Sequence, residues 1–245
     1  MGKYISFVLL LAIKAFSLVF YRLKGRAIDG GPIPGRPWSK VRLVAFLNHT
    51  SLYEPLFAAL VPNRFLWEIA NRAVVPVAAK TLDRPIVGLF FKILIPHPVS
   101  ITREPDHTWD AVLSRIDSDS MVIILPEGRM RRRNGLDVSG RPMTSRGGIA
   151  DILATMEDGE LLMAYSGGLH HIQIPGQFFP RLFRTLRMDF ELLEIADYKS
   201  EMQRLAKAAG RRVKNIVKTD LDRRRDLHSP MTPESTRQPE TEAPA

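Results

Sequence analysis

A chain of 245 residues is long enough for one domain with a substantial core and short appendages, and 45% hydrophobic against 25% charged content excludes wholesale disorder. Without a cysteine, it has no disulfide framework, no thiolate catalysis and no cysteine-ligated zinc. A formal charge of +9 implies attraction to polyanions, but does not choose between nucleic acid and anionic lipid headgroups.

In chain order, the first element is apolar. Ile5 to Phe20 is interrupted only by Ser6, Lys14 and Ser17, and it falls short of the ~20 residues that span a bilayer. A charge near the middle of such a run costs roughly 2.5–3.5 kcal/mol inside a membrane. Tyr4, Phe7, Phe16, Phe20 and Tyr21 flank or punctuate it, together with Lys3, Lys14, Arg22, Lys24 and Arg26. This pattern predicts a membrane-interface helix over residues 1–28, lying on an anionic membrane surface, with a spanning anchor as the alternative. No small-residue cleavage site closes the run, which argues against a signal peptide.

Residues 29–38, which contain Gly30-Gly31-Pro32-Ile33-Pro34-Gly35-Arg36-Pro37, read as a turn-rich linker. From 39 to 228 the chain reads as one domain. Val41–Leu47, Val74–Ala79, Val99–Thr102, Met121–Leu125 and Leu161–Tyr165 have the composition of buried strands. Between them, Pro55–Leu60, Pro85–Leu94, His107–Ile116 and Gly148–Met156 read as helices. The alternation predicts an α/β fold: a single layered domain with a mixed, largely parallel central sheet flanked by helices. Tyr198, Met202, Leu205, Ala209, Val213, Ile216 and Leu221 recur at helical spacing, which predicts one basic helix from Asp197 to about Leu227. Residues 229–245, rich in proline, threonine and glutamate, are expected to form a disordered tail.

The residues with chemistry gather where strands end. Leu47 closes a hydrophobic strand and Asn48-His49-Thr50-Ser51-Leu52-Tyr53-Glu54-Pro55 follows at once, the position at which α/β proteins place their sites. Acyl transfer to an alcohol requires the alcohol to lose a proton during attack. Imidazole is the natural base, and a carboxylate on its other nitrogen fixes the tautomer and stabilises the imidazolium. His49 and Glu54 have these types. Ser51 to Glu54 also fits a capping box, in which Glu54 only satisfies a backbone amide.

Histidine followed, after four intervening residues, by an acid at a strand end resembles the first motif of the glycerolipid acyltransferase family, of the lysophosphatidic-acid acyltransferase type. That family usually carries aspartate where this chain has Glu54. Leu125-Pro126-Glu127-Gly128-Arg129 resembles its third motif, with Arg129-Met130-Arg131 in place of threonine, arginine and serine. The resemblance implies acceptor binding by Glu127 and Gly128, and a guanidinium on phosphate from either Arg129 or Arg131. Ser100-Ile101-Thr102-Arg103 stands at the second motif, so Arg103 is implied to bind acceptor phosphate. Lys80 fits the lysine that opens a helix-rich segment associated with the acyl tunnel. Pro85–Leu94 is then tunnel wall or plain core. The fourth motif is poorly kept around Met163 to His171.

The resemblance spans roughly residues 40 to 195. It implies an O-acyltransferase, 1-acylglycerol-3-phosphate acyltransferase-like, moving a fatty acyl group from acyl-CoA or acyl-carrier protein to the hydroxyl of a lyso-glycerophospholipid. Catalytic His49 and Glu54 would need no metal and no cofactor beyond the acyl donor. It further implies phospholipid biosynthesis at a membrane, on its cytoplasmic face. Departures from the motifs leave open a different lyso-lipid, such as an aminolipid, and a non-catalytic membrane-binding protein of the same fold. No basic–aromatic motif marks a nucleic-acid partner, and none is expected.

Overall fold

The computed structural model describes residues 2–33, 35–95, 97–102, 107–137, 139–173 and 179–230. The strands are β1 (Arg22–Ala27), β2 (Val41–Leu47), β3 (Ala73–Ala78), β4 (His97–Ile101), β5 (Met121–Ile124), β6 (Glu160–Ser166) and β7 (Thr185–Glu194), and β2 to β6 are rich in β-branched and apolar residues. They make one seven-stranded sheet in the order β1-β7-β6-β2-β5-β3-β4. Every neighbouring pair is parallel except β6 and β7, so the sheet is mixed and largely parallel, as expected.

Both sheet faces are covered, which is why the central strands are apolar on both sides. On β2, Val44 and Phe46 face one way, toward α1 (Gly2–Phe20), α2 (Asn63–Arg72) and α4 (Pro85–Leu94). Leu43, Ala45 and Leu47 face the other way, toward α5 (His107–Leu113), α6 (Gly148–Thr155), α7 (Ile195–Ala209) and α8 (Val213–His228). A fully buried leucine of this kind contributes about 1.5–3 kcal/mol. The sandwich holds the sheet rigidly, and β2, β3, β4, β5 and β6 all release their carboxyl ends along one edge.

Several elements depart from expectation. The N-terminal helix stops at Phe20, and residues 22–27, assigned to that helix from sequence, form β1 instead. Arg22, Lys24 and Arg26 alternate with Leu23, Gly25 and Ala27, a period of two that suits an edge strand with a charged, solvated face. The single C-terminal helix is two. Gly210 takes φ 60° and ends α7, with its amide and that of Arg211 capping Lys207 and Ala206 carbonyls. Only glycine adopts that left-handed cap freely.

The α4 segment, expected to be tunnel wall or core, exposes Ile86, Leu89 and Ile93 to solvent. These fall at helical spacing on one stripe, while Gly88 and Leu94 are the buried residues. Most of the predicted C-terminal tail, from residue 231, lies outside the described residues.

Candidate active site

The site grows from the end of β2. Asn48 takes φ 63°, a left-handed turn that asparagine tolerates better than most residues. Its Nδ2 donates to the Ser166 carbonyl at 2.8 Å, which ties it to the end of β6. The His49 peptide is then held on both sides by the segment after β5. Its N–H donates to Glu127 Oε2 at 2.7 Å, and its carbonyl accepts the Arg131 N–H at 2.7 Å.

The imidazole Nδ1 lies 2.9 Å from Glu54 Oε1, off the line of a straight hydrogen bond, and is enclosed by protein. Nε2 has no partner among the described residues, and the side chain keeps 13% exposure. One ring nitrogen is therefore turned to a carboxylate, and the other is left for chemistry.

Glu54 opens a short 3-10 segment, Glu54–Leu60, with Pro55 just inside it. Its Oε1 also accepts the Thr50 and Ser51 amides, each at 3.0 Å. The capping contact and the imidazole contact thus coexist on one oxygen. The capped turn is what brings a residue seven positions from the strand end back onto the ring.

Burial works to lower the His49 pKa, yet the net direction is upward, because Glu54 in contact and Glu127 nearby favour the imidazolium. Glu127 is wholly enclosed, its side chain 0% exposed. Burial pushes its carboxyl up, opposed by the His49 amide, the Arg225 guanidinium and the Asn48 amide. Its Oε1 accepts the Asn48 N–H at 3.1 Å, and Arg225 Nη1 approaches the same oxygen at 3.3 Å. Both oxygens are engaged by the protein, and the carboxylate holds the backbone of the turn that carries His49.

Gly128 takes φ 64°, and a Cβ there would meet Arg146 Cδ at 3.1 Å. It serves the tight turn beside the site. Arg129 is likewise committed, its Nη1 paired with the nearly buried Asp137 and 3.3 Å from Ser139 Oγ. The guanidinium braces its own loop. Arg131 forms no ion pair among the described residues, and its backbone N–H donates to the His49 carbonyl. Lys80 sits exposed on α3 (Ala79–Leu82), directly after β3 and so on the same sheet edge. Arg103 lies outside the described residues.

The segment after β6 and one residue of α8 also reach the site. The segment after β6 closes on the site, where the Leu169 N–H donates to Thr50 Oγ1 at 2.8 Å and Ser51 Oγ donates to Gln173 Oε1 at 2.5 Å. His170 follows there, its pKa held down to about 4 by burial and by Arg133 and Arg131, so it is neutral near pH 7. His171 is turned to the Thr185 carbonyl, with Nε2 at 2.8 Å. Arg225 arrives from α8 with no local signal, since its partner Glu127 lies 98 positions earlier in the chain.

No protein-family model and no curated protein matches the chain. Among solved structures, it is similar to the 1-acyl-sn-glycerophosphate (LPA) acyltransferase PlsC from Thermotoga maritima, at 18% identity and a TM-score of 0.48. The match covers 87% of this chain and 79% of that one. A likeness that distant transfers no chemistry, and the functional reading rests on the residues themselves.

Proposed function

We propose that this protein is an O-acyltransferase that moves a fatty acyl group from acyl-CoA or acyl-carrier protein to the hydroxyl of a lyso-glycerophospholipid. The observation that carries the reading is the pairing of His49 Nδ1 with Glu54 at 2.9 Å, with Nε2 left unpartnered among the described residues. Such a pair is built to accept a proton at Nε2 and to stabilise the cation that results.

In this reading, His49 Nε2 takes the acceptor hydroxyl proton as the oxygen attacks the thioester carbonyl carbon. The tetrahedral intermediate collapses, the carbon–sulfur bond breaks, and the imidazolium returns the proton to the departing thiolate. The products are an ester and a free thiol. Glu54 fixes the ring and offsets the charge it gains. Arg131, Arg103 and Lys80 are the cations we assign to the anionic parts of the substrates.

The membrane arrangement follows from α1 and α4. By length and composition α1 is able to cross a bilayer, but two of its polar side chains, Ser6 and Lys14, are engaged by the domain. Ser6 Oγ donates to the Leu94 carbonyl at 2.5 Å and Lys14 Nζ to the Val61 carbonyl at 2.7 Å. Tyr4, Ile5, Val8, Phe16, Leu18 and Val19 face outward, and α4, which packs beside α1, adds Ile86, Leu89 and Ile93. We read this as an in-plane lipid-docking surface rather than a spanning anchor, on the cytoplasmic face.

The test is incubation of purified protein with labelled acyl-CoA or acyl-carrier protein and a panel of lyso-lipids that includes aminolipids, with His49→Ala alongside. Acylation of a lyso-glycerophospholipid that the variant does not perform supports the reading. Acylation confined to an aminolipid would reassign the acceptor, and none with any pair would overturn the function.

A further inference from the structure

The last helix contributes a buried cation that the reaction does not use directly. Arg225 is 5% exposed in its side chain and sits behind the catalytic turn. Its Nη1 lies 3.3 Å from Glu127 Oε1, 3.2 Å from the Met143 carbonyl and 3.1 Å from Asp222 Oδ1, while Nε donates to Asp226 at 2.9 Å. Asp222 is itself occupied by the Ser145 amide and hydroxyl, each at 2.8 Å.

Glu127 is the hinge of this arrangement. It accepts two successive amides, those of Asn48 and His49, and an enclosed carboxyl accepts both fully only while it is ionised. The Asn48 backbone is left-handed, a conformation that relaxes unless neighbours hold it. The charged groups around Glu127 are the His49 ring from the turn after β2 and Arg225 from α8, with Arg146 packed on Gly128 next door. Among the described residues, Arg225 is the cation in direct contact with the carboxylate.

We propose that Arg225 is a positioning residue: by keeping Glu127 charged, it locks the Asn48–His49 backbone in the orientation that sets the imidazole against Glu54. The chain of contacts is α8 guanidinium, Glu127 carboxylate, paired amides, ring. It couples the final helix to the chemistry of the first strand-end turn, although Arg225 touches no substrate. If Arg225 is removed, the enclosed carboxyl takes up a proton, one amide loses its acceptor, and His49 loses the second of the two carboxylates that hold its proton affinity up.

The proposal rests on His49 being the working base, so the test separates the two claims. The His49 imidazole is titrated by NMR in wild type, Arg225→Met, Arg225→Lys, Glu127→Gln and the double variant Glu127→Gln/Arg225→Met, with acyl transfer measured in parallel. The double variant carries neither buried charge and guards against a fold lost to one unpaired carboxylate. The expected result is a lower His49 midpoint in Arg225→Met and Glu127→Gln, no further drop in the double variant, and a midpoint close to wild type in Arg225→Lys. In turnover, Arg225→Met loses roughly 10²-fold in kcat with KM little changed, because the misplacement is at the reacting centre. An unchanged His49 midpoint in folded Arg225→Met overturns the proposal, as does a further drop in the double variant. If the midpoints move as stated but no variant or wild type transfers acyl groups, the positioning claim stands and the acyltransferase reading fails.

Discussion

Glu54 Oε1 meets the His49 ring at 2.9 Å while also accepting the amides of Thr50 and Ser51 at 3.0 Å. One oxygen thus shapes the turn and supports the base. Replacing Glu54 with Gln therefore removes the anion but keeps an oxygen for the turn. Turnover is expected to fall by roughly 10²–10⁴-fold with folding stability little changed, as for carboxylates that orient a catalytic imidazole. Steady-state rates beside a thermal melt check both halves.

The pH dependence has a definite sign. His49 works as a base only when neutral, and its pKa is raised by Glu54 and Glu127 against the lowering effect of burial. The acid limb of kcat/KM is expected above the ordinary imidazole value of about 6.5. Glu54→Gln moves that limb toward acid, because burial then acts with less opposition. The linked stability runs the same way: a raised folded pKa gives a contribution fully present below about 6.5 and lost as pH rises through the folded value. His49→Gln should abolish that part of the pH dependence, as read from denaturant unfolding at a series of pH values.

How much of this was legible in the sequence differs by element. The strand Val41–Leu47 and the helix Pro85–Leu94 are predicted to the residue, because each is a strongly apolar run, broken only by Arg42 or Lys92, with clear polar or proline boundaries. β7 was missed although Leu186, Met188, Phe190 and Leu192 alternate clearly onto one sheet face, since charged Arg187, Asp189 and Glu191 intervene. His49 with Glu54 was readable because four intervening residues in a turn bring them together locally. The use of Glu127 and Arg225 was not, because their roles depend on contacts made across the fold. Spacing along a chain carries no information about a partner on a distant helix.

The two arginines after Gly128 should separate cleanly. Arg129→Ala takes the guanidinium from Asp137, which keeps the Ser139 and Arg141 amides, so it should lower the melting temperature. Arg131→Ala should leave the melting curve close to wild type and raise the acceptor KM. Melting curves and acceptor titrations of both variants decide the assignment.

Gly128→Ala tests the turn itself. A Cβ at φ 64° against Arg146 Cδ at 3.1 Å is expected to cost about 1–2 kcal/mol, most of it from the left-handed backbone. Urea unfolding measures the loss, and a fall in kcat larger than the stability change would follow from disturbance of the adjoining Glu127.

On the proposed lipid-docking surface, Leu89→Asp places a charge on the exposed stripe of α4. Sedimentation with vesicles containing anionic lipid should show weaker binding with the fold intact. Unchanged binding would remove α4 from the surface.

The most direct measurement is the initial rate of acyl transfer to a lyso-glycerophospholipid by His49→Ala, with its folded state established by melting beside wild type. The account predicts a loss of at least roughly 10²-fold. A folded variant that transfers acyl groups at the wild-type rate would contradict it.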